Sequence, residues 1–379
     1  MRGVRVVFAG GGTGGHLFPA LSVADELRRR DERCDIVFIG GRGGLEERVV
    51  PEQGYSLELL EVEGLKGKRG MKRVKSLYKA LAATYRAIGL LRRLKPVGVI
   101  GSGSYASGPV VLAAKLLRLK TAILEQNAIP GITNRYLGRF VDRVYVSFEE
   151  SCSYFPEERV MLAGNPVRRE ILEEAARQRE ELIARRKSLF TILVFGGSQG
   201  AKTINTAVLD ALEYLTDMVN SIRIIHQTGV EWCDEVRAGY ERKGLLSAGG
   251  GKRNGGIVEV VPFIEDMSTA YASADLVICR AGATSIAEIT ALGLASVLIP
   301  YPFAADNHQE VNARLLSGRG AAVMVGQDGL TGQVMAEEIR TLYNDREKLH
   351  GIRSASKALG RPGALDTIAD DYLRLLDVA

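Results

Sequence analysis

The feature that most constrains this chain is a glycine-rich run near its start, GGGTGGH at residues 10–16. The apolar stretch before it, residues 4–9, is typical of a buried strand, and apolar residues at helical spacing follow it, with Pro19 in the first turn. A strand that opens through glycines into a helix gathers backbone N–H groups and the positive end of the helix dipole at one point. Glycines also permit positive φ angles and a close approach of the ligand. The run therefore predicts a βα unit with a phosphate-binding loop.

The kind of ligand stays open at this point. The pattern GxGxxG at residues 10–15 also matches the dinucleotide-binding fingerprint, which glycines alone do not make specific. His16 is the unusual residue, because an imidazole beside an anion site either caps the helix start or acts as an acid or base. The turn at residues 41–44, after the second predicted strand, holds no acid for a ribose, and Glu46 and Glu47 come only later. This absence argues against a dinucleotide enzyme.

Length and composition indicate two globular domains. The 379 residues are 46% hydrophobic and 25% charged, which is ordinary for a soluble protein. We expect no signal peptide and no membrane-spanning helix, so the chain is predicted to be soluble or at most peripheral to a membrane. The cysteines lack metal-ligand spacing, which predicts buried free thiols in a reducing cytoplasm and no metal site. They are Cys34, Cys152, Cys233 and Cys279.

Positive charge is concentrated in one segment. Residues 64–124 hold fourteen Lys or Arg and no acid, so against a net charge of +5 the rest of the chain carries −9. Within it, residues 65–95 are predicted to form an amphipathic helix with basic residues every seven positions. Such a stripe is either a solvated face or a surface for anionic lipid, and nucleic acid is disfavoured because few aromatic residues are interleaved. The stripe consists of Lys72, Lys79, Arg86 and Arg93.

The strand, glycine loop and helix pattern recurs along the chain. It returns at residues 97–119, 190–215 and 276–288, and a break between domains is predicted at 164–168. This repetition predicts an α/β protein with two Rossmann-like, doubly wound parallel sheets. The GAKT sequence that follows Gln199 is a near miss to a nucleotide-triphosphate loop, and Ala201 stands where that loop requires glycine.

Seven motifs in order resemble the MurG family of bacterial peptidoglycan glycosyltransferases, and the resemblance spans residue 4 to about 375. The motifs are GGGTGGH, GSGSYASGP, EQN, GNPVR, GGSQGA, RAGATSIAE and DNHQ. The resemblance implies a GT-B architecture, in which two Rossmann-like domains face each other across a cleft. Residues 1–163 would form the acceptor-binding and membrane-associating domain and residues 164–359 the UDP-sugar domain, with a helix at 360–379 packing back onto the first.

The resemblance also implies an activity. Family members transfer N-acetylglucosamine, with inversion, from UDP-N-acetylglucosamine to the C4 hydroxyl of MurNAc in undecaprenyl-pyrophosphoryl-MurNAc-pentapeptide (lipid I), which gives lipid II. No Asp-x-Asp motif occurs in the chain, which fits a transferase without metal or other cofactor. The implied location is the anionic cytoplasmic face of the cell membrane, with other cell-wall synthesis proteins as further partners and no nucleic acid. A non-hydrolysing UDP-N-acetylglucosamine 2-epimerase would share the fold and is the alternative, although it would not need the basic segment.

Site residues follow from the resemblance position by position, with His16 as the general base. The positions implied for the donor are Thr13, Gly14, Gly15, Asn127, Arg168, Ser198, Ile264, Ala283, Thr284, Ser285, Ile286, Ala287, Glu288 and Gln309. Those implied for the acceptor are Gly12, Gly103, Ser104, Tyr105 and Glu125. Three details depart from the family pattern. Ser104 stands where glycine is frequent, the order of residues 284–287 differs, and the loop at 247–256 is longer and has no assigned role.

Overall fold

The computed structural model describes residues 4–61, 71–184, 189–246 and 257–377. The chain forms two compact units, of which unit 1 comprises Met1–Arg168 with Pro362–Ala379 and unit 2 comprises Arg169–Arg361. The first division falls after Arg168 rather than at the predicted 163/164, and the second falls at 361/362 rather than 359/360. The predicted loop at 247–256 lies outside the described residues.

Unit 1 is a doubly wound α/β fold. Its elements are β1 (Arg5–Ala9), α1 (Gly14–Arg30), β2 (Asp35–Gly41), α2 (Glu46–Glu52), β3 (Ser56–Leu60), α3 (Met71–Leu94), β4 (Gly98–Gly101), α4 (Ser104–Leu116), β5 (Lys120–Glu125), α5 (Ile132–Leu137), β6 (Arg143–Val146), α6 (Glu149–Cys152), β7 (Val160–Leu162) and, after unit 2, α15 (Ala364–Asp377). The strands form one parallel sheet in the order β3-β2-β1-β4-β5-β6-β7. The order reverses between β1 and β4, so this is the edge where a ligand is expected.

Unit 2 repeats the plan. Its elements are α7 (Arg169–Ala184), β8 (Phe190–Phe195), α8 (Lys202–Ala211), β9 (Ile222–Gln227), α9 (Cys233–Arg242), β10 (Val258–Val261), α10 (Met267–Ser273), β11 (Leu276–Cys279), α11 (Ala283–Leu292), β12 (Ala295–Leu298), α12 (His308–Gly318), β13 (Val323–Met324), α13 (Gly332–Asn344) and α14 (Arg346–Leu359). The parallel order is β10-β9-β8-β11-β12-β13, and it reverses between β8 and β11. The predicted fold class, two doubly wound parallel sheets, is confirmed.

The apolar runs of the central strands exist because each sheet is covered on both faces. Along β1, Val6 and Phe8 pack into one hydrophobic core, and Val7 and Ala9 pack into a second core on the other side of the sheet. A strand buried on both faces has no reason to alternate apolar and polar residues. This double burial explains why the strand at residues 4–9 was predictable from composition alone.

Helix α3 buries small residues and leaves two large apolar side chains outside. Leu81 and Tyr85 are 60% and 78% exposed. Among the side chains described on this helix, Ala83, Thr84, Ala87 and Leu91 are buried, and the helix packs against α4. Small alanine side chains let two helices approach closely, so the contact forms there and leaves the larger side chains outside.

The basic stripe on α3 also has acidic partners that the sequence analysis did not anticipate. Arg86 pairs with Glu61 at 2.8 Å and Arg93 with Glu58 at 2.8 Å, and both acids lie just outside the acid-free segment. The expectation of an uncompensated stripe is therefore wrong for these two arginines. The side chain of Lys72 lies outside the described part of the chain.

Helix α15 closes unit 1 through charged and aromatic contacts. Arg30 of α1 pairs with Asp366 and Asp370, and Asp371 accepts hydrogen bonds from the hydroxyl of Tyr145 at 2.9 Å and from Arg143 at 3.0 Å. Tyr372 is fully buried in the core beside the sheet. No helix in the described ranges combines the length and the apolarity that crossing a bilayer requires.

Gly98 of β4 should be intolerant of a side chain. A Cβ there would overlap the Tyr372 hydroxyl and lie 2.8 Å from Leu376, so Gly98→Ala should lower the free energy of unfolding by about 1–3 kcal/mol. Gly89→Ala is the matched control, because a Cβ at that helical position meets nothing within 4 Å and should stabilise α3 by up to about 1 kcal/mol. Urea unfolding measures both. Equal effects of the two substitutions would contradict this packing.

Candidate active site

Two glycine loops of unit 1 meet where the strand order reverses. The loop at residues 10–15 follows β1, and Ser102 and Gly103 follow the neighbouring strand β4. A Cβ on Gly10 would overlap the Ser102 hydroxyl and lie 2.7 Å from the Gly103 carbonyl oxygen. The two loops therefore touch almost backbone to backbone, which only glycine allows at this point.

His16, in the first turn of α1, lies against this contact. Its Nδ1 is 3.0 Å from the Ser102 carbonyl oxygen and 3.2 Å from Gln126 Oε1, while Gln126 Nε2 donates to the same carbonyl at 3.1 Å. A carbonyl oxygen can only accept, so Nδ1 must carry a proton. In the neutral imidazole the lone pair is then on Nε2. The surroundings thus select the tautomer in which Nε2 can act as a base.

Gly103 makes room for the imidazole. A Cβ on Gly103 would lie 2.7 Å from His16 Nδ1, and the residue has a φ of +97°, which L side chains rarely adopt. The next residue, Ser104, also has a positive φ of 73°. This backbone conformation favours glycine, the residue expected here from the family that the motifs resemble. The side chain of Tyr105 lies outside the described part of the structure, so its predicted acceptor contact stays a prediction.

Glu125 is buried at the end of β5 and organises the turn that follows. It is 2% exposed, and its carboxylate accepts from the amide of Asn127 at 3.0 Å, the amide of Gly131 at 3.1 Å and Asn134 Nδ2 at 2.9 Å. Burial raises the pKa of this carboxyl to about 7, although these hydrogen bonds lower it. These contacts are within the protein, and the predicted contact with an acceptor stays a prediction.

The remaining predicted residues of unit 1 lie at or after the glycine loop, at the end of the unit and after β5. Thr13 and Gly15 are exposed and Gly14 is half-buried, so the first amides of the helix can face a ligand. The Arg168 guanidinium lies 5.7 Å from the centre of the Phe18 ring, on the first turns of the same helix. Asn127 accepts a hydrogen bond from Ser151 through its carbonyl oxygen at 2.9 Å.

An acid that the sequence analysis discounted reaches this loop. The Glu46 side chain extends back from α2 to the end of β2, where it accepts from the amide of Gly41 at 3.0 Å and from that of Gly12 at 2.6 Å. An acid therefore does lie at this strand end in space, contrary to the prediction. The carboxylate is only 2% exposed, and the amides that surround it occupy its oxygens. The sequence signal that could have revealed it is the run of residues 40–44, in which every residue except Arg42 is glycine.

Unit 2 has a corresponding edge between β8 and β11. Ser198 is exposed in the loop after β8, and α11 begins at Ala283 directly after the glycine turn that follows β11. Residues 283–286 thus form the first turn of α11, where amides face outward and the helix dipole is positive. Thr284 Oγ1 is buried there without a hydrogen-bond partner.

The buried phenol of Tyr271 orients the Glu288 side chain. Tyr271 is fully buried, and its hydroxyl donates to Glu288 Oε2 at 2.7 Å. The ring of Tyr271 packs edge-on against Phe195 of β8. The carboxylate of Glu288 is therefore held in one direction on the second turn of α11.

Two further predicted donor positions lie after β10 and β12. Ile264 is half-buried after β10. Gln309 lies in the first turn of α12, and its Oε1 accepts from the Tyr301 amide at 2.9 Å. Asp306 and Asn307 before it have positive φ angles of 52° and 55°, a tight turn that leads into the helix. Within the described residues, no group of three or more His, Cys, Asp or Glu side chains is placed to hold a metal ion.

Comparison with known proteins agrees with this geometry. Residues 6–146 match the family model of the glycosyltransferase family 28 N-terminal domain, and residues 191–368 match that of its C-terminal domain. The chain belongs to glycosyltransferase family 28. These two matches cover most of both units. The sheet edge with the glycine loops of unit 1 lies in the N-terminal family domain, and the corresponding edge of unit 2 lies in the C-terminal one.

Individual family members are similar over nearly the whole chain. A Myxococcus xanthus protein named UDP-N-acetylglucosamine--N-acetylmuramyl-(pentapeptide) pyrophosphoryl-undecaprenol N-acetylglucosamine transferase is 47% identical, over 98% of this chain and 93% of its own. The crystal structure of Acinetobacter baumannii MurG matches with a TM-score of 0.78 and 32% identity, over 98% of this chain and 99% of the other. Within the family the chain is of the MurG type, as the motifs predicted.

A UDP-GlcNAc 2-epimerase structure from Neisseria meningitidis also matches. Its TM-score is 0.63 and its identity 13%, over 98% of this chain and 99% of the other. Identity this low shows a shared fold and nothing more about activity.

The buried Glu125 should make stability depend on pH. Because its pKa rises from 4.5 to about 7 on folding, the folded state retains a proton that the unfolded state has lost, and the free energy of unfolding falls as pH rises from about 4.5 to about 7. Glu125→Gln should remove this contribution, whereas Glu52→Gln, exposed at the end of α2, should leave the pH dependence intact. Urea unfolding across this range measures the slope, and the infrared carboxyl band of wild type minus Glu125→Gln locates the titration. A carboxyl already ionised at pH 5 would contradict the assignment.

Proposed function

We propose that this protein transfers N-acetylglucosamine from UDP-N-acetylglucosamine to the C4 hydroxyl of MurNAc in lipid I, with inversion at the anomeric carbon. The observation that carries the proposal is the imidazole of His16, which the Ser102 carbonyl holds as the Nδ1–H tautomer at the switch point of a family 28 fold. The full-length similarity to a transferase of this name supports the choice of substrates.

The reaction is a single displacement. Nε2 of His16 takes the proton of the acceptor hydroxyl while that oxygen forms a bond to the anomeric carbon. The bond from the anomeric carbon to the β-phosphate oxygen breaks, and its electron pair leaves with UDP. General base catalysis by a positioned histidine contributes about 100- to 10,000-fold. Leaving-group charge is stabilised by helix N-terminal amides and by the Arg168 guanidinium.

The geometry of unit 2 supports the donor contacts that the family resemblance implies. The first turn of α11, residues 283–286, offers amides to a phosphate, and the buried Thr284 hydroxyl lies among them. Glu288, held by Tyr271, would accept from the ribose hydroxyls, and the backbone near Ile264 would bind the uracil. In unit 1, the loops at residues 10–15 and 101–108 would bind the acceptor pyrophosphate.

We further propose that unit 1 docks on the anionic cytoplasmic face of the cell membrane, where a lipid-borne acceptor lies. Leu81 and Tyr85 are large, exposed side chains on α3, and Lys79 lies two positions before Leu81 on the same helix. Because Arg86 and Arg93 are paired with acids, apolar contact carries a larger share of the attraction than the sequence suggested. Other cell-wall synthesis proteins stay predicted partners.

The base assignment predicts a large rate loss. In His16→Ala, kcat for transfer to a lipid I analogue should fall by about 100- to 10,000-fold, because the proposed base for the hydroxyl proton is removed. His350→Ala, exposed on α14, is the matched control and should retain full activity. Sugar-labelled UDP-N-acetylglucosamine reports the product. Full activity of His16→Ala refutes the base role, and C2 inversion of the donor sugar without any acceptor would favour the epimerase alternative.

Membrane docking predicts sensitivity to the two exposed side chains. The double variant Leu81→Ser with Tyr85→Ser should bind anionic phospholipid vesicles at least about tenfold more weakly, since burying one such side chain is worth about 1.5–3 kcal/mol. The control is Tyr214→Ser, an exposed tyrosine of unit 2. Vesicle sedimentation at two salt concentrations measures binding. Equal binding by all variants would place the docking surface elsewhere.

A further inference from the structure

A buried carboxylate lies behind the first glycine loop and has no part in the proposed chemistry. Glu46 is the first residue of α2, and its side chain is directed away from solvent, toward the ends of β1 and β2. A carboxylate buried to this extent is costly unless hydrogen bonds compensate it. Its position therefore needs an explanation.

The hydrogen bonds connect two loops that are remote in sequence. Oε2 accepts from the Gly12 amide at 2.6 Å, and Oε1 accepts from the Gly41 amide at 3.0 Å. Gly12 belongs to the loop that leads into α1, and Gly41 ends the neighbouring strand β2. One side chain thus ties the glycine loop to the sheet.

Glycines enclose this carboxylate. A Cβ added at Gly11, Gly40 or Gly44 would overlap the Glu46 side chain. Gly11 has a φ of +141°, so its backbone is also unsuited to other residues. Gly11 of the predicted phosphate loop, and Gly40 and Gly44 at and after the end of β2, are therefore glycines because of Glu46.

We propose that Glu46 is a positioning residue that fixes the glycine loop, and with it His16, in the geometry for transfer. This proposal rests on the proposed function for its catalytic part. Because the Gly12 amide is already engaged, an acceptor pyrophosphate is met by the amides of Thr13, Gly14 and Gly15 at the start of α1. The same engagement denies a dinucleotide the backbone approach at the second glycine of the GxGxxG pattern.

A change at Gly12 should affect the rate of transfer because Gly12 and His16 are close along the chain. His16 lies four residues after Gly12, in the first turn of the helix that this loop begins. Releasing the Gly12 amide frees the start of α1 to move, and a displacement of about 1 Å can cost about a hundredfold in rate. The uridine-binding residues proposed in unit 2 lie in a separate unit and are not affected in this way.

The test compares Glu46→Gln with Glu47→Gln. The first variant keeps the size of the side chain, but it replaces a charged carboxylate by a neutral amide that has one acceptor oxygen for the two N–H donors. The control removes an equivalent charge one residue along, from the exposed Glu47 that accepts from the Gly43 amide at 2.5 Å. Hydrogen exchange of the Gly12 amide is followed by NMR with isotope-labelled glycine, and kcat and KM are measured separately for donor and acceptor.

In Glu46→Gln we expect at least about tenfold faster exchange at Gly12 and a kcat at least about tenfold lower. Glu47→Gln should match wild type in both. A purely structural role would lower the melting temperature but leave kcat unchanged well below it. Wild-type kcat in a folded Glu46→Gln protein overturns the proposal.

Two of the exchange measurements remain informative if Glu46→Gln does not fold or if the proposed function is wrong. In wild type the Gly12 amide must already be protected from exchange, and an unprotected amide overturns the proposal even if Glu46→Gln does not fold. The exchange arm requires no turnover. If wild type transfers no sugar while Gly12 is protected in it and released in Glu46→Gln, the proposed function fails and the positioning of the loop stands.

Discussion

The contact between the Ser102 carbonyl and the imidazole of His16 determines how the rest of unit 1 is built. A backbone carbonyl can accept but not donate, so it selects the imidazole tautomer that carries a proton on Nδ1. The contact requires β1 and β4 to be adjacent and their loops to approach almost backbone to backbone, which Gly10 and Gly103 permit. The strand order, the glycine positions and the tautomer of the histidine therefore depend on one another.

Much of the fold was predictable because the central strands are buried on both faces. The strands that were missed lie at sheet edges, β3 and β7 in unit 1 and β13 in unit 2. Edge strands are partly exposed, so Ser56–Leu60 mixes charged and apolar residues and Val160–Leu162 is too short to show a pattern. In α3 alanines set the packing, whereas the sequence pattern gives more weight to larger side chains, of which Leu91 is buried and Leu81 and Tyr85 are exposed.

The candidate site was predictable only as far as single residues carry their own signal. His16 stood out beside an anion-binding loop, but its tautomer depends on Ser102 and Gln126, which are 86 and 110 residues away. Glu46 was discounted because it comes five residues after the end of β2, although its side chain folds back to that strand end. Distance along the chain is a poor guide where a long side chain and several glycines meet.

The return of α15 to unit 1 has a consequence for biosynthesis. Residues 169–361 form a unit that is contiguous in sequence. The core of unit 1, in contrast, is complete only when Asp371 and Tyr372 of α15 have been added. On a translating ribosome the second half of the chain can therefore finish folding before the first half does. Chaperones that meet the nascent polypeptide would find the amino-terminal sheet still lacking its final helix until synthesis has passed these residues.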